Sequence, residues 1–178
     1  MSGKSIISID LGGTKVLSAL INSNNEIVMR KKIPTDMSKG NNNLVRITAD
    51  AVNEIFKDSG LSEKNIRAVC VGVPGTVSPI SGIISNAPNL GITHFNIKEA
   101  FSKYFHVPIL IENDVNLAGL GIKKFETSED SKNMIVVFVG TGIGSALFFE
   151  GKIYRGSTFY AGEIGHILIE QNGSLSAK

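Results

Sequence analysis

Four short stretches of this sequence combine residue types and spacings suited to chemistry. The first is Asp10-Leu11-Gly12-Gly13-Thr14-Lys15. Glycines without a Cβ let backbone N–H groups come close to an anion, while Thr14 adds a hydroxyl and Lys15 a positive charge. Asp10 is a candidate to hold hydrated Mg²⁺, which takes one or two carboxylates together with phosphate oxygens. The stretch lacks the Gly-Lys-Ser/Thr spacing of a P-loop, and a Gly-Gly pair is also an ordinary hairpin turn, so both readings fit it in isolation. The second stretch is Gly140-Thr141-Gly142-Ile143-Gly144, which follows an apolar run. It reads as another phosphate cradle or as a sharp strand reversal. Two such turns in one chain favour a nucleoside polyphosphate held by both.

The third stretch is Glu112-Asn113-Asp114-Val115-Asn116. Asn113 or Asp114 is a candidate helix cap. The segment also follows a buried strand, and ligand sites form at such strand ends. Asp114 is suited to accept the proton of an attacking hydroxyl, as a catalytic Asp does in other phosphoryl-transfer enzymes. The fourth is Gly162-Glu163-Ile164-Gly165-His166. Glu163 and His166 share a face if the segment is helical. A lone His is more often a structural hydrogen-bonder, but this one has a carboxylate neighbour and two glycines that leave room beside it. His94 and His106 lack such company and are given no role. No Cys/His set makes a complete metal site, and no Gly-x-Ser-x-Gly frame is present.

The elements that must position these residues follow from the pattern of apolar side chains. Strands over 5–9, 16–21 and 27–33, separated by the Gly turn and by Asn22-Ser23-Asn24-Asn25, predict an antiparallel meander. Leu44, Ile47, Ala51 and Ile55 follow helical spacing, giving a helix over 44–57 with Gly60 as its stop. A buried strand over 66–73 leads into a loop and short hairpin over 76–90. Ile97, Phe101, Tyr104 and Phe105 mark a second helix, followed by a strand over 107–111. A third helix spans 113–124 with Val115, Ala118 and Ile122 on one face. The charged stretch 126–132 is the candidate boundary, dividing the chain into domains 1–125 and 126–178. Beyond it come strands over 134–139 and 145–150 and a poorly patterned end. The strand, Gly-Thr turn and returning strand therefore occur twice.

Composition narrows the function classes. The 178 residues are 42% hydrophobic and 19% charged, with a net charge of +2. That excludes bulk disorder, and the balance is too mild for a nucleic-acid binder. The basic run Arg30-Lys31-Lys32 is flanked by Glu26 and Asp36, as a solvated strand end would be. One cysteine, Cys70, cannot form an internal disulfide and suits a reducing cytoplasm. No apolar stretch approaches the ~20 residues of a membrane span, and no secretory signal is apparent.

Taken in order, Asp10 to Lys15, Gly72-Val73-Pro74-Gly75, Ala87-Pro88-Asn89-Leu90, Glu112 to Asn116, Gly140 to Gly144 and Gly162 to His166 resemble the ROK family of sugar kinases and sugar-responsive repressors. The resemblance spans nearly the whole chain. It implies an α/β, actin-like (ribonuclease H-like) ATPase fold, with one nearly complete lobe and the opening strands of a second. It also implies ATP-dependent phosphorylation of a hexose or N-acetylhexosamine, with ATP and Mg²⁺ as cofactors. By matching position, Asp114 is the expected catalytic base. Gly75, Asn89, Asn113, Glu163 and His166 are the expected sugar contacts. Asp10, Gly12, Gly13, Thr14, Lys15, Gly140, Thr141, Gly142 and Gly144 are the expected phosphate and nucleotide contacts. Many relatives bind zinc through the matching His and a cysteine run. Here Ser176 and Lys178 stand where the first two cysteines would, so no zinc is expected. The expected partners are a sugar, a nucleotide and a second copy of the chain, with neither nucleic acid nor membrane. Relatives continue past residue 178, so a truncated chain with an incomplete adenine site is expected to be inactive alone. A non-catalytic, sugar-sensing regulator is the alternative reading.

Overall fold

Alternation of buried and open side chains sets up the first strands. β1 (Ser5–Leu11), β2 (Lys15–Ile21) and β3 (Ile27–Pro34) form the expected antiparallel meander. Ile7, Ile9 and Leu11 are buried, while Ser8 and Asp10 between them face the other side of the sheet. Asn22 closes the second turn, its Oδ1 accepting the N–H groups of Asn24 at 2.9 Å and Glu26 at 3.0 Å. The computed structural model describes residues 4–140, 142–168 and 170. It divides into two compact units, Met1–Leu117 and Ala118–Lys178.

In the first unit, α1 (Asn41–Ser59) leads from β3 to β4 (Ile66–Val73), which pairs in parallel with the free edge of β1. A small antiparallel sheet follows, made of β5 (Thr76–Val77), β6 (Ile83–Ala87) and β7 (Ile92–Asn96). Then come α2 (Ile97–Ser102) and β8 (Ile109–Asn113), which is parallel to β4. The main sheet has the order β3-β2-β1-β4-β8. Its buried face supplies Ile9, Val71 and Ile111 to a core completed by Leu44, Val52 and Ile55 of α1 and Phe101 of α2. Thr48, also buried on α1, satisfies its hydroxyl on the Leu44 carbonyl at 2.7 Å. Gly60 ends α1 in the left-handed conformation, at φ 67°.

Four elements depart from the pattern of apolar side chains. Helix α1 begins at Asn41, earlier than its apolar period shows, because Asn41 to Asn43 are polar. Strand β7 falls where no strand was expected, since only Ile92 in it is fully buried. The second helix stops at Ser102, and Phe105 packs from the turn after it. Strand β8 starts and ends two residues later than expected, which places Asn113 in the strand.

The division between units falls inside α3 (Asp114–Phe125). The second unit adds β9 (Met134–Val139), β10 (Ile143–Phe149) and β11 (Lys152–Tyr154), an antiparallel sheet of order β11-β10-β9. Gly119 of α3 packs onto Ala146, where a Cβ would collide with the alanine methyl. Asn116 and Gly119 are the buried positions of α3, whereas Ala118 is exposed, so the apolar face expected through Val115, Ala118 and Ile122 is not the buried one. A glycine and an asparagine carry no hydrophobic signal, and the period of the apolar residues therefore points the wrong way. Among the described residues, no helix is long and apolar enough to cross a membrane.

Candidate active site

In the first unit the candidate residues gather at the carboxyl ends of the parallel strands. Asp10, next to last in β1, lies beside Gly72 of β4, and Gly72 lies beside Glu112 of β8. These three share the sheet face opposite Ile9, Val71 and Ile111. Adjacent strands are about 4.8 Å apart, so the Asp10 and Glu112 backbones are separated by about 10 Å across Gly72. The first turn of α3 lies over the gap that Gly72 leaves. A Cβ there would meet Leu117 Cδ1 at 3.1 Å and the Asp114 Cα at 3.8 Å. The ends of parallel strands are where open α/β sheets bind ligands.

Glu112 organises this corner. Its side chain is 7% exposed, and Oε1 accepts from the Asn113 N–H at 3.1 Å and from Asn116 Nδ2 at 3.1 Å. Asn113 uses both ends of its amide. Oδ1 accepts the Asn116 N–H at 2.9 Å, which caps α3, and Nδ2 donates to the Gly75 carbonyl at 3.0 Å. Asp114 follows at the start of the helix, half-buried, with Oδ1 accepting the Val115 N–H at 2.8 Å. Gly75 is held at φ 83°, and a Cβ there would run into the Asn86 carbonyl oxygen, so glycine is required.

The Asp10 turn is braced from two sides. Gly12 N–H donates to the Lys15 carbonyl at 2.9 Å. Thr35 donates its hydroxyl to the Gly12 carbonyl at 2.6 Å and its N–H to the Thr14 carbonyl at 3.1 Å. Gly13 lies against Asn89, whose carbonyl oxygen would be 2.7 Å from any Cβ at position 13. Two expected groups of contacts, the Gly turn and Asn89, are thus neighbours. Thr14 and Lys15 are exposed. Much of Asp10 is also open to solvent, yet desolvation by the surrounding chain raises its carboxyl pKa, and nearby Lys15 pulls it down only in part. A carboxylate left short of positive charge, at the rim of an open turn, fits Mg²⁺ that also has waters and phosphate oxygens as ligands.

In the second unit, the Gly140 N–H donates to the Gly142 carbonyl at 2.9 Å and closes the turn between β9 and β10. A Cβ at Gly140 or Gly142 would meet no described atom within 4 Å. Gly144 pairs with Phe138 in the sheet, and Thr141 lies outside the described residues. Glu163 precedes a 3-10 turn, Ile164–His166, which brings His166 Nε2 to 3.9 Å from Glu163 Oε2. The spacing therefore places both on one face, as expected. Their segment is tied to β10, with the Gly162 carbonyl accepting the Ser145 N–H at 3.0 Å and its hydroxyl at 2.8 Å. Ser176 and Lys178, expected from the resemblance to stand where relatives carry cysteines, lie outside the described residues. Among the described residues, no group of three or more His, Cys, Asp or Glu is placed to hold a metal ion.

Sequence reasoning singled out neither Glu112 nor Thr35 as a site residue. Glu112 had a signal, because an acid closing the run Ile109-Leu110-Ile111 has to find hydrogen-bond partners where it is buried. Thr35 had none, since its contacts are to a turn far away in sequence.

Comparison with known proteins shows the family. The model of the ROK family matches residues 6–177. A glucokinase of Halalkalibacterium halodurans is 31% identical over 173 residues, which are 97% of this chain and 52% of that protein. A xylose repressor of Caldicellulosiruptor bescii is 30% identical over 165 residues, 93% of this chain and 41% of that one. The crystal structure of a ROK family glucokinase from Streptomyces griseus with glucose and AMPPNP superposes with a TM-score of 0.81 at 27% identity, over 95% of this chain and 52% of that one. The fold is the actin-like ATPase fold. The chain spans about half the length of the curated relatives it matches.

Proposed function

Since the chain belongs to the ROK family, we propose that it is the part of an ATP-dependent sugar kinase that carries the catalytic base and the phosphate turns. The observation that carries the reading is the cluster at the ends of β1, β4 and β8, where Asp10, Gly72 and Glu112 lie in one row and Asp114 stands over it on the first turn of α3. Asp114 orients the attacking sugar hydroxyl and takes its proton as the new O–P bond forms and the γ-phosphorus parts from the β–γ bridging oxygen of ATP, ADP leaving; such general-base help is worth about 10²–10⁴ in rate. Asn113, fixed by Gly75 and by the cap, holds the sugar through the N–H and lone pair it has left. Asn89, Gly75, Glu163 and His166 supply further sugar contacts. The backbone of Gly12 to Lys15 and of Gly140 to Gly144 receives phosphate oxygens. Mg²⁺, held by Asp10 through water and phosphates, would supply charge neutralisation on the transferred phosphoryl group.

Asp114→Asn in the complete gene product tests this reading. Retention of most of the phosphorylation rate, measured over a panel of hexoses and N-acetylhexosamines with ATP, would falsify the assignment. A second reading has one observation behind it: a repressor resembles the chain at 30% identity over 165 residues, against 31% over 173 for a kinase. It makes the chain a non-catalytic sugar sensor. Titration calorimetry with sugars, with and without ATP, separates the two, because a sensor binds sugar and turns nothing over.

A further inference from the structure

The basic run Arg30-Lys31-Lys32 is not a uniform solvated edge. Lys31 faces α1, where it pairs with Glu54. Lys32 faces the opposite side of the sheet. There it pairs across β2 with Leu17, and Leu17 pairs with Asp10. Lys32 therefore lies in the row that runs through Asp10, Gly72 and Glu112. Lys15 is opposite Pro34 on the same pair of strands, so Lys15 and Lys32 are diagonal neighbours. Diagonal pairs have their Cα atoms about 7–8 Å apart, within reach of two long side chains.

Thr14, Lys15, Lys32, Ile33 and Pro34 line a cavity of about 260 Å³. No carboxylate is among them. Asp10 is the acid acting on Lys15, and none of the described residues forms an ion pair with the Lys32 ammonium. Two ammonium groups and a hydroxyl thus border one cavity, where the lysines' mutual repulsion is relieved by an anion. The cavity adjoins the turn that carries Asp10, with Thr14 common to both. Ile33 and Pro34 complete the lining and bring no charged side chain to it.

We propose that Lys32, with Lys15 and Thr14, forms a phosphate subsite for a phosphoanhydride chain, extending the anion site of the Gly12-Gly13 turn towards β3. The proposal rests on the phosphate role given above to the Asp10 turn. Two donors share this chemistry, the tail of a nucleoside triphosphate and inorganic polyphosphate. A chain of phosphates can engage both ammonium groups at once, whereas a single orthophosphate has fewer oxygens to share between them.

The test is calorimetric titration of the 178-residue chain with tripolyphosphate, and separately with MgATP, at low ionic strength and without sugar. Lys32 is exposed, and Lys32→Gln keeps the strand and most of the side chain's length. Arg30→Gln is the control, an exposed cation of the same strand that does not line the cavity. Loss of one charge-assisted contact is expected to weaken tripolyphosphate about tenfold in Lys32→Gln and leave it unchanged in Arg30→Gln. A parallel loss for MgATP identifies the nucleotide tail as an occupant; an effect confined to tripolyphosphate identifies the inorganic chain. Equal affinities in the wild type and Lys32→Gln, an equal loss in Arg30→Gln, or no binding of either probe to the wild type overturns the proposal. Failure of the kinase reading would show instead as absent sugar phosphorylation with the tenfold Lys32 effect intact.

Discussion

Asn113 separates a structural role from a ligand role. Its side chain joins two backbone segments, accepting from Asn116 N–H at 2.9 Å and donating to the Gly75 carbonyl at 3.0 Å. Asn113→Ala removes the cap, worth about 1 kcal/mol, and leaves the Gly75 carbonyl without its donor, worth about 1 kcal/mol more. The expected loss is about 2 kcal/mol, or about 4–8 °C in melting temperature for a chain of this size. Asn113→Ser keeps an oxygen able to cap α3 but does not reach Gly75, so about half of the loss is expected. Urea denaturation followed by circular dichroism reads both, with the slope of the transition unchanged. Sugar titration supplies the second axis, because Ser lacks the amide N–H and is expected to bind no better than Ala. Equal destabilisation by Ser and Ala would refute the cap. A loss below about 0.5 kcal/mol for Ala would refute the joint, since both hydrogen bonds would then be contributing next to nothing.

Glu63 gives an independent check on the fold. Its Oε1 accepts the backbone N–H groups of His106 and Val107, tying the turn before β4 to the segment that leads into β8. Glu63→Ala is expected to cost about 1–2 kcal/mol, read as a shift in urea midpoint, and no measurable shift would remove that tie from the account. Asp10 has a carboxyl pKa raised by desolvation, so the folded state favours its protonated form. The stability tied to that proton is fully present below the unfolded pKa and is lost as pH rises through the folded one. Asp10→Asn is therefore expected to be more stable than the wild type at pH 7, with the advantage gone near pH 3; equal stabilities at pH 7 would contradict it. The glycines of the two turns are expected to differ. Gly13→Ala forces a Cβ to 2.7 Å from the Asn89 carbonyl and is expected to cost about 1–3 kcal/mol. Gly142→Ala meets no described atom within 4 Å and is expected to leave the melting temperature within about 1–2 °C while weakening MgATP binding to the complete gene product. Unchanged nucleotide affinity in Gly142→Ala would remove that turn from the site.

Much of the first unit was legible because its apolar residues report directly on burial. The meander, the α1 stripe ending at Gly60 and the runs that became β4 and β8 all follow the two periods of strand and helix. The candidate residues were legible as motifs, and the Glu163–His166 spacing correctly placed both side chains on one face. What was not legible depends on polar or absent side chains. The buried positions of α3 are Asn116 and Gly119, invisible to a hydrophobic count. Asn113 belongs to β8 and caps α3 from the strand, a boundary that turns on one hydrogen bond. Thr35 braces the Asp10 turn across a long sequence separation, and only the β2–β3 pairing brings it there.

The two Gly turns look alike in sequence, yet their glycines answer to different demands. Gly13 is required by the protein itself, because Asn89 occupies the space a side chain would need. Its presence therefore says little about a ligand. A Cβ at Gly140 or Gly142 would meet no described atom within 4 Å, and neither is among the described glycines with a positive φ. Among the described residues nothing asks for glycine there, and glycine in a turn between strands carries an entropic cost. A residue type that packing and backbone conformation leave unexplained, at the end of an apolar strand, points to something outside the protein that must come close to the main chain. The second turn thus bears more of the weight of the phosphate reading than the first, although the first is the one whose flanking Asp, Thr and Lys make it look the more chemical of the two.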